Sequence, residues 1–111
     1  MKIELISSKK IKIGDNFYES DCVISSDGEI FQWKKEADRL TERDVKSLLK
    51  KDPDMVVVPK NEEFKGLSYS HSQTLKEKDV MLIIDELFEA VNVFNAALKT
   101  EKYALIVLPL G

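Results

Sequence analysis

Cysteine, proline and glycine are all scarce in this sequence, whose 111 residues include one cysteine, three prolines and four glycines. The single cysteine, Cys22, excludes an internal disulfide and a cysteine-rich zinc site. Few chain-breaking residues, together with 43% apolar residues, argue against long disordered segments. A chain of this length buries enough surface to fold without metal or disulfide, so we expect one domain over residues 1–111 and no cofactor.

Long apolar runs and an excess of positive charge are also missing. No run reaches the roughly 18 apolar residues of a membrane-spanning helix, and residues 1–5 have the pattern of neither a signal peptide nor a transit peptide. The net charge is −3, whereas nucleic-acid-binding domains usually carry a basic excess. We therefore expect a cytoplasmic protein that binds neither membrane nor nucleic acid.

Short strands and turns account for the first third of the sequence. Residues 3–5 and 11–13 alternate apolar and polar side chains, as half-buried strands do. Residues 22–25 form a further short strand, and Ser-Asp-Gly at 26–28 predicts a hairpin whose second strand covers 29–34. The N-terminal part is thus predicted to consist of β-hairpins.

Helices alternate with wholly apolar segments in the remaining two thirds. Thr41 is the expected N-cap of a helix that ends at Asp52-Pro53. Asp85 is the expected N-cap of the clearest helix, in which apolar residues recur at helical spacing. Apolar runs typical of strands covered on both faces occupy residues 55–58, 80–84 and 103–108. The pattern predicts a right-handed βαβ unit and an α/β fold with two to three helices.

The only histidine, His71, lies in the segment Ser-Tyr-Ser-His-Ser-Gln at residues 68–73. A catalytic serine–histidine pair needs the imidazole within hydrogen-bond reach of the hydroxyl, but neighbouring side chains point apart. The Ser-x-x-Gln spacing instead predicts a capping box, with Ser70 as the N-cap of a short helix and Gln73 reaching back to it. A weaker interpretation is that free N–H groups at this helix start bind an anion. We expect no catalytic residue here.

Polar residues directly follow two of the apolar strands. Lys60 and Asn61 come after the strand at 55–58, and Asp85 comes after the strand at 80–84. Ligands of open α/β sheets bind beyond the carboxyl ends of the strands, so parallel neighbours would bring these side chains into one crevice. The alternative is a capping Asp85 and an exposed Lys60.

A basic segment carries the only tryptophan. Trp33, Lys34 and Arg39 present an aromatic face and cations suited to a phosphate-bearing ligand or a partner. The simpler interpretation is that Trp33 anchors a strand end in the core while the cations are solvated. The candidate binding residues are therefore Trp33, Lys34, Arg39, Lys60, Asn61, Ser70 and Asp85, and no metal ligands stand out.

Three stretches, residues 17–40, 48–61 and 85–111, resemble a known family in their order and motifs. It is the domain of unknown function shared by archaeal and bacterial single-domain proteins, an adipogenesis-associated human protein and a mitochondrial complex I assembly factor. Pro59-Lys60-Asn61 stands where that family often has Gly-Thr-Gly, and Asp38 stands where it often has histidine. The positions that match the family motifs are Asp21, Asp27, Gly28, Trp33, Lys34, Ala90, Phe94 and Asn95.

The resemblance implies a three-layer α/β domain with a mixed central sheet and an appended hairpin, and no established reaction. From it we expect a non-enzymatic interaction or assembly factor that binds a protein partner or forms a homo-oligomer. The alternative is a small-molecule or anion-binding domain, or a minor enzyme, with its site beyond the carboxyl ends of the central strands.

Overall fold

Eight strands and three helices make up the chain in the computed structural model, which describes residues 1–111. The strands are β1 (Ile3–Ser7), β2 (Lys10–Ile13), β3 (Asn16–Tyr18), β4 (Cys22–Ser25), β5 (Ile30–Gln32), β6 (Met55–Lys60), β7 (Met81–Glu86) and β8 (Ala104–Leu108). The helices are α1 (Glu42–Lys50), α2 (Tyr69–Glu77) and α3 (Leu87–Ala97).

A mixed five-stranded sheet with the order β5-β4-β8-β6-β7 forms the centre of the molecule. Strands β8, β6 and β7 run parallel, whereas β4 pairs antiparallel with both β8 and β5. The first three strands form a separate antiparallel sheet in the order β1-β2-β3. The predicted α/β class with a mixed sheet and N-terminal hairpins is therefore confirmed.

Alternate side chains of the central strands enter two cores, one on each face of the sheet. Val56 and Val58 of β6 pack with α1 and α2, whereas Val57 between them packs with α3. Ile3 and Ile11 bring the small sheet onto the α3 face. This arrangement gives three layers and explains the wholly apolar runs, because a strand covered on both faces needs apolar side chains at every position.

The predicted hairpin after β4 is confirmed, with a shorter returning strand than the sequence indicates. Ile24 pairs with Ile30, and Gly28 adopts φ +91°, a conformation that favours glycine. The Ser25 hydroxyl donates to the Asp27 carboxylate, and this bond lowers the pKa of Asp27. Asp27 and Gly28 therefore shape the turn between β4 and β5.

The predicted start of α1 is also confirmed. The Thr41 hydroxyl accepts a hydrogen bond from the Asp44 N–H at 3.2 Å, and the Asp44 carboxylate accepts from the Thr41 N–H at 2.9 Å. This is a reciprocal capping box, with Asp44 in the place usually taken by Glu or Gln. The helix ends before Asp52, whose φ is +52°, and Pro53 follows.

Two predicted N-caps are wrong. Helix α2 begins at Tyr69, and its cap is Ser68, whose hydroxyl accepts from the His71 N–H at 3.2 Å, rather than Ser70. Leu67, directly before the cap, is buried. Glu86, rather than Asp85, caps α3, because strand pairing with β6 continues through Glu86.

The two serines give a direct test of where α2 begins. We expect Ser68→Ala to lower the free energy of unfolding by about 1 kcal/mol, because the substitution removes the acceptor for the His71 N–H. The matched control, Ser70→Ala, should stay within about 0.5 kcal/mol of the wild type, since Ser70 is exposed. Urea denaturation of both variants provides the measurement. A larger loss in Ser70→Ala would restore the Ser70 cap.

Candidate functional site

The ends of β6 and β7 do not bring Lys60 and Asp85 into one crevice. The two strands are parallel neighbours, as the strand-end hypothesis requires, and Asp85 lies opposite Pro59. Side chains alternate along a strand, so Lys60 lies on the face of Val58, which packs toward α1 and α2. Asp85 lies on the opposite face with Ile83, on the side of α3. The two polar side chains therefore extend from opposite faces of the sheet.

The third predicted member of that crevice, Asn61, stabilises its own loop. Its side-chain oxygen accepts hydrogen bonds from the N–H groups of Glu63 and Phe64, at 2.8 and 2.7 Å. Asn61 also lines a polar cleft of about 300 Å³ with Lys9 and Lys35. Neither Lys60 nor Asp85 lines this cleft or the cleft beside Trp33 and Lys34.

Trp33 anchors the end of β5 to the rest of the domain. Its indole N–H donates to the Asp44 carboxylate at 3.1 Å, and its ring meets Phe64 edge-to-face with 5.9 Å between the ring centroids. The same residue is one of those lining a small cavity of about 30 Å³ between α1 and the sheet. A cavity of that size has room for about one water molecule, so it does not suit a larger ligand.

The outer side of Trp33 and Lys34 faces an open cleft of about 590 Å³. Glu19 and Asp21 also line this cleft, so its negative charges outnumber its single lysine. The Asp21 carboxylate is already engaged, because it accepts from the N–H groups of Lys35 and Gly111 at 2.9 and 2.6 Å. Arg39 is exposed and lines neither this cleft nor the small cavity beside Trp33. The basic segment therefore does not form a cationic pocket.

The segment around His71 has no paired nucleophile and base. The Ser72 hydroxyl donates to the Ser68 carbonyl at 3.0 Å, and the Ser70 side chain is exposed. The Nδ1 atom of His71 is shielded from solvent and has no hydrogen-bond partner within the chain. No group of three or more metal-ligating side chains comes together anywhere in the described structure.

A surface that the sequence interpretation missed lies along β7. The sequence predicted a strand covered on both faces here, but Met81 is 46% exposed, Ile84 is 37% exposed, and Phe88 in the first turn of α3 is 56% exposed. The expectation fails because β7 is the last strand of the sheet order. We call the outer side of β7, together with Met81, Ile84 and Phe88, the β7 edge. Phe88 does not belong to the helically spaced apolar series of α3, which runs through Leu87, Val91 and Phe94. This was the one indication in the sequence that Phe88 is exposed.

The backbone of β7 is open on the side away from β6. The Met81 N–H donates to the Asp54 carbonyl at 2.9 Å, so the polar groups of Met81 face the sheet. Successive residues of a strand direct these groups to alternate sides, which leaves those of Leu82 and Ile84 facing outward. No strand pairs with this side of β7. The β7 edge therefore combines exposed apolar side chains, Met81 on the α3 face of the sheet and Ile84 on the opposite face, with outward-facing backbone donors and acceptors.

None of the three helices combines the length and apolar character needed to cross a bilayer. No curated protein shows significant sequence similarity to the chain. Among solved structures, a conserved hypothetical protein from Pyrococcus horikoshii matches with 25% identity and a TM-score of 0.75, over 97% of this chain and 98% of that one.

Two further structures share the fold at lower identity. A protein described as an outer membrane protein of Bartonella henselae matches with 16% identity and a TM-score of 0.75, covering 96% of this chain and 91% of that chain. A protein of Xanthomonas campestris matches with 10% identity and a TM-score of 0.79, covering 97% and 84% respectively. A family model described as protein of unknown function DUF498/DUF598 matches residues 3–108. The chain therefore belongs to the DUF498/DUF598 family of proteins of unknown function.

Proposed function

We propose that this protein is a single-domain, cytoplasmic, non-enzymatic interaction or assembly factor, and that it binds other protein chains through the β7 edge. The observation that carries the proposal is the exposure of Met81, Ile84 and Phe88 beside outward-facing backbone groups. An edge strand with these properties readily accepts a strand from another chain, and proteins that leave such an edge unprotected risk aggregation. A bound partner would cover it.

Three of the residues that match the family motifs support a role without catalysis, because their polar groups are bonded within the fold. Asp21 holds the backbone of Lys35 and Gly111, while Trp33 donates to Asp44. Asn95 bonds both backbone groups of Ile3, at 2.9 and 2.8 Å. Side chains used in this way are not free to act on a substrate.

The test compares Phe88→Ala with Phe17→Ala in tagged protein isolated from its own cells after chemical cross-linking. We expect the wild type to carry additional protein mass in native mass spectrometry. Truncating an aromatic anchor often weakens binding by tenfold or more, so Phe88→Ala should lose most of that mass. Phe17 is the matched control, because it is 53% exposed but lies on the small sheet.

Two results would contradict the proposal: a wild type without any protein partner, or equal losses in the two variants. The same spectra test the alternative of a small-molecule-binding domain or minor enzyme. Its one supporting feature is the open cleft of about 590 Å³ beside Trp33 and Lys34, a volume in the range of ligand sites. A retained mass of a few hundred daltons in place of a protein would favour that alternative.

A further inference from the structure

We infer that the occupant of the β7 edge is a second copy of this chain, with the two β7 strands paired antiparallel about a twofold axis at Ile83. The inference rests on the proposed function and names the partner for the same surface. Closed twofold dimers are the commonest oligomers, and each copy then covers the exposed edge of the other. The paired strands would join two five-stranded sheets into one.

The outward-facing backbone groups select the register. Antiparallel neighbours form hydrogen-bonded pairs only between residues whose N–H and C=O groups face each other, which within β7 are Leu82, Ile84 and Glu86. An axis at Ile83 pairs Leu82 with Ile84 of the partner subunit, and Ile84 with Leu82 of the partner subunit. Leu82 and Ile84 of each copy then find a partner, while Glu86 falls opposite Val80 of the partner subunit at the margin. The side chains at the centre of the contact, residues 82–84, are all apolar.

Registers displaced by two residues fit less well. A shift toward the start of β7 pairs Ile84 with Val80 of the partner subunit, but the Val80 N–H already donates to the Leu75 carbonyl at 3.2 Å. The same shift places Asp85 opposite Asp79 of the partner subunit, and like charges directly opposite each other are destabilising. A shift toward the end of β7 places Leu82 opposite Glu86 of the partner subunit.

The charges at the two ends of β7 favour a copy of the same chain in the antiparallel direction. The start of the strand borders a cleft lined by Lys46, Lys50 and Lys78, with Asp52 as its one acid. The other end carries a group of acidic residues, namely Asp85, Glu86 and Glu89. Asp79 also stands at the start of the strand, so that end carries both signs, whereas the other end is acidic. Antiparallel pairing brings the lysines at the start of one copy to the acidic end of the other, whereas parallel pairing would place the two acidic ends together.

Cysteine cross-linking tests both the partner and the register. At the twofold axis, Ile83 lies opposite its counterpart in a non-hydrogen-bonded pair, where Cα atoms are about 4.5 Å apart. That separation suits a disulfide, so Ile83→Cys should form a covalent dimer under mild oxidation. In the matched control, Met81→Cys, the Cα atoms of the two cysteines lie four residues apart along the paired strands, about 14 Å from each other. These two thiols should therefore not form a disulfide.

The native thiol does not interfere with this experiment. Cys22 is buried, and burial together with the neighbouring Asp21 carboxylate raises its pKa to about 11. Little thiolate is present at neutral pH, and the thiolate is the reactive form. Wild-type protein under the same oxidant should therefore remain free of covalent dimer.

Sedimentation of reduced protein provides a second measurement that does not depend on Ile83→Cys folding. We expect the wild type to form a dimer whose fraction rises with protein concentration. The dissociation constant of the Ile84→Pro dimer should be at least tenfold higher than that of the Ile84→Ala dimer. Both variants lose the isoleucine side chain, but only proline removes the outward-facing N–H. Retained circular dichroism would show that the variants fold.

Two results would overturn the inference: a wild type that stays monomeric up to about 1 mM, or a dimer that cross-links through Met81→Cys and not through Ile83→Cys. Either result leaves the proposed function standing if capture of another protein still depends on Phe88. Loss of that dependence together with a monomeric chain would remove both.

Discussion

Alanine in place of Phe94 is expected to lower the free energy of unfolding by about 3–5 kcal/mol, because the substitution removes a fully buried ring and leaves a cavity. Phe94 is 0% exposed and packs in the core between α3 and the central sheet. The loss is a large part of the total stability of a domain of this size.

Phe88 offers a control on the same helix and with the same chemical change. Because its side chain is mostly exposed, Phe88→Ala should stay within about 0.5 kcal/mol of the wild type. Thermal and urea unfolding of the two variants provide the measurement. Losses of similar size would show that Phe88 is packed within the monomer, and would remove the main anchor of the proposed β7 edge.

The comparison of β6 with β7 shows which part of the fold could be predicted from the sequence. Both strands contain an uninterrupted apolar run, and for the central strand β6 that pattern correctly predicts cover on both faces. For β7 it does not, because strand order depends on how distant segments assemble, and a local pattern carries little information about that order. The exposed edge proposed here as the functional surface was missed for this reason.

The predicted crevice illustrates a second limit, which is the sensitivity of a sheet to register. The crevice hypothesis required β6 and β7 to be parallel neighbours, and in the structure they are. Whether Lys60 and Asp85 meet depends on an offset of one residue, and an offset of one residue reverses the face on which a side chain lies. The hydrophobic pattern did not fix that offset, because both faces of these strands are apolar.

Helix starts were predicted well only where one polar residue was available. Thr41 stands alone before its helix and has Asp44 three residues later, and the structure confirms it as the cap. Ser68 and Ser70 compete at α2, and the cap is Ser68, which directly follows buried Leu67. At α3 the competing residues are Asp85 and Glu86, where continued pairing with β6 decides. At α3 the choice therefore depends on tertiary contacts.

Asn95 matched a family motif in the sequence, but the residues alone gave it no role. In the structure its side-chain oxygen accepts from the Ile3 N–H, and its amide nitrogen donates to the Ile3 carbonyl. Ile3 is 1% exposed, so in the folded domain its two backbone groups are shielded from water and bonded to the Asn95 side chain. Asn95 therefore joins the small N-terminal sheet to α3 by bonding both backbone groups of one buried residue.

We expect Asn95→Ala to lower the free energy of unfolding by about 2–3 kcal/mol, because it leaves a buried donor and a buried acceptor without partners. Protection of the β1 and β2 amides from hydrogen exchange should fall by about 30-fold or more, since 1.4 kcal/mol corresponds to a factor of ten. The control, Asn92→Ala, removes an exposed amide from the same helix and should change neither quantity appreciably.

Hydrogen exchange separates the two interactions that hold the small sheet against α3. If burial of Ile3 and Ile11 were sufficient, β1 and β2 would keep their protection in Asn95→Ala, and the bonds from Asn95 would contribute little. If the bonds matter as we expect, protection falls first in the small sheet, because it meets the rest of the domain on one side only. Asn95→Asp refines the result, since its carboxylate still accepts from the Ile3 N–H but places a second acceptor against the Ile3 carbonyl. That variant should therefore not recover the stability of the wild type.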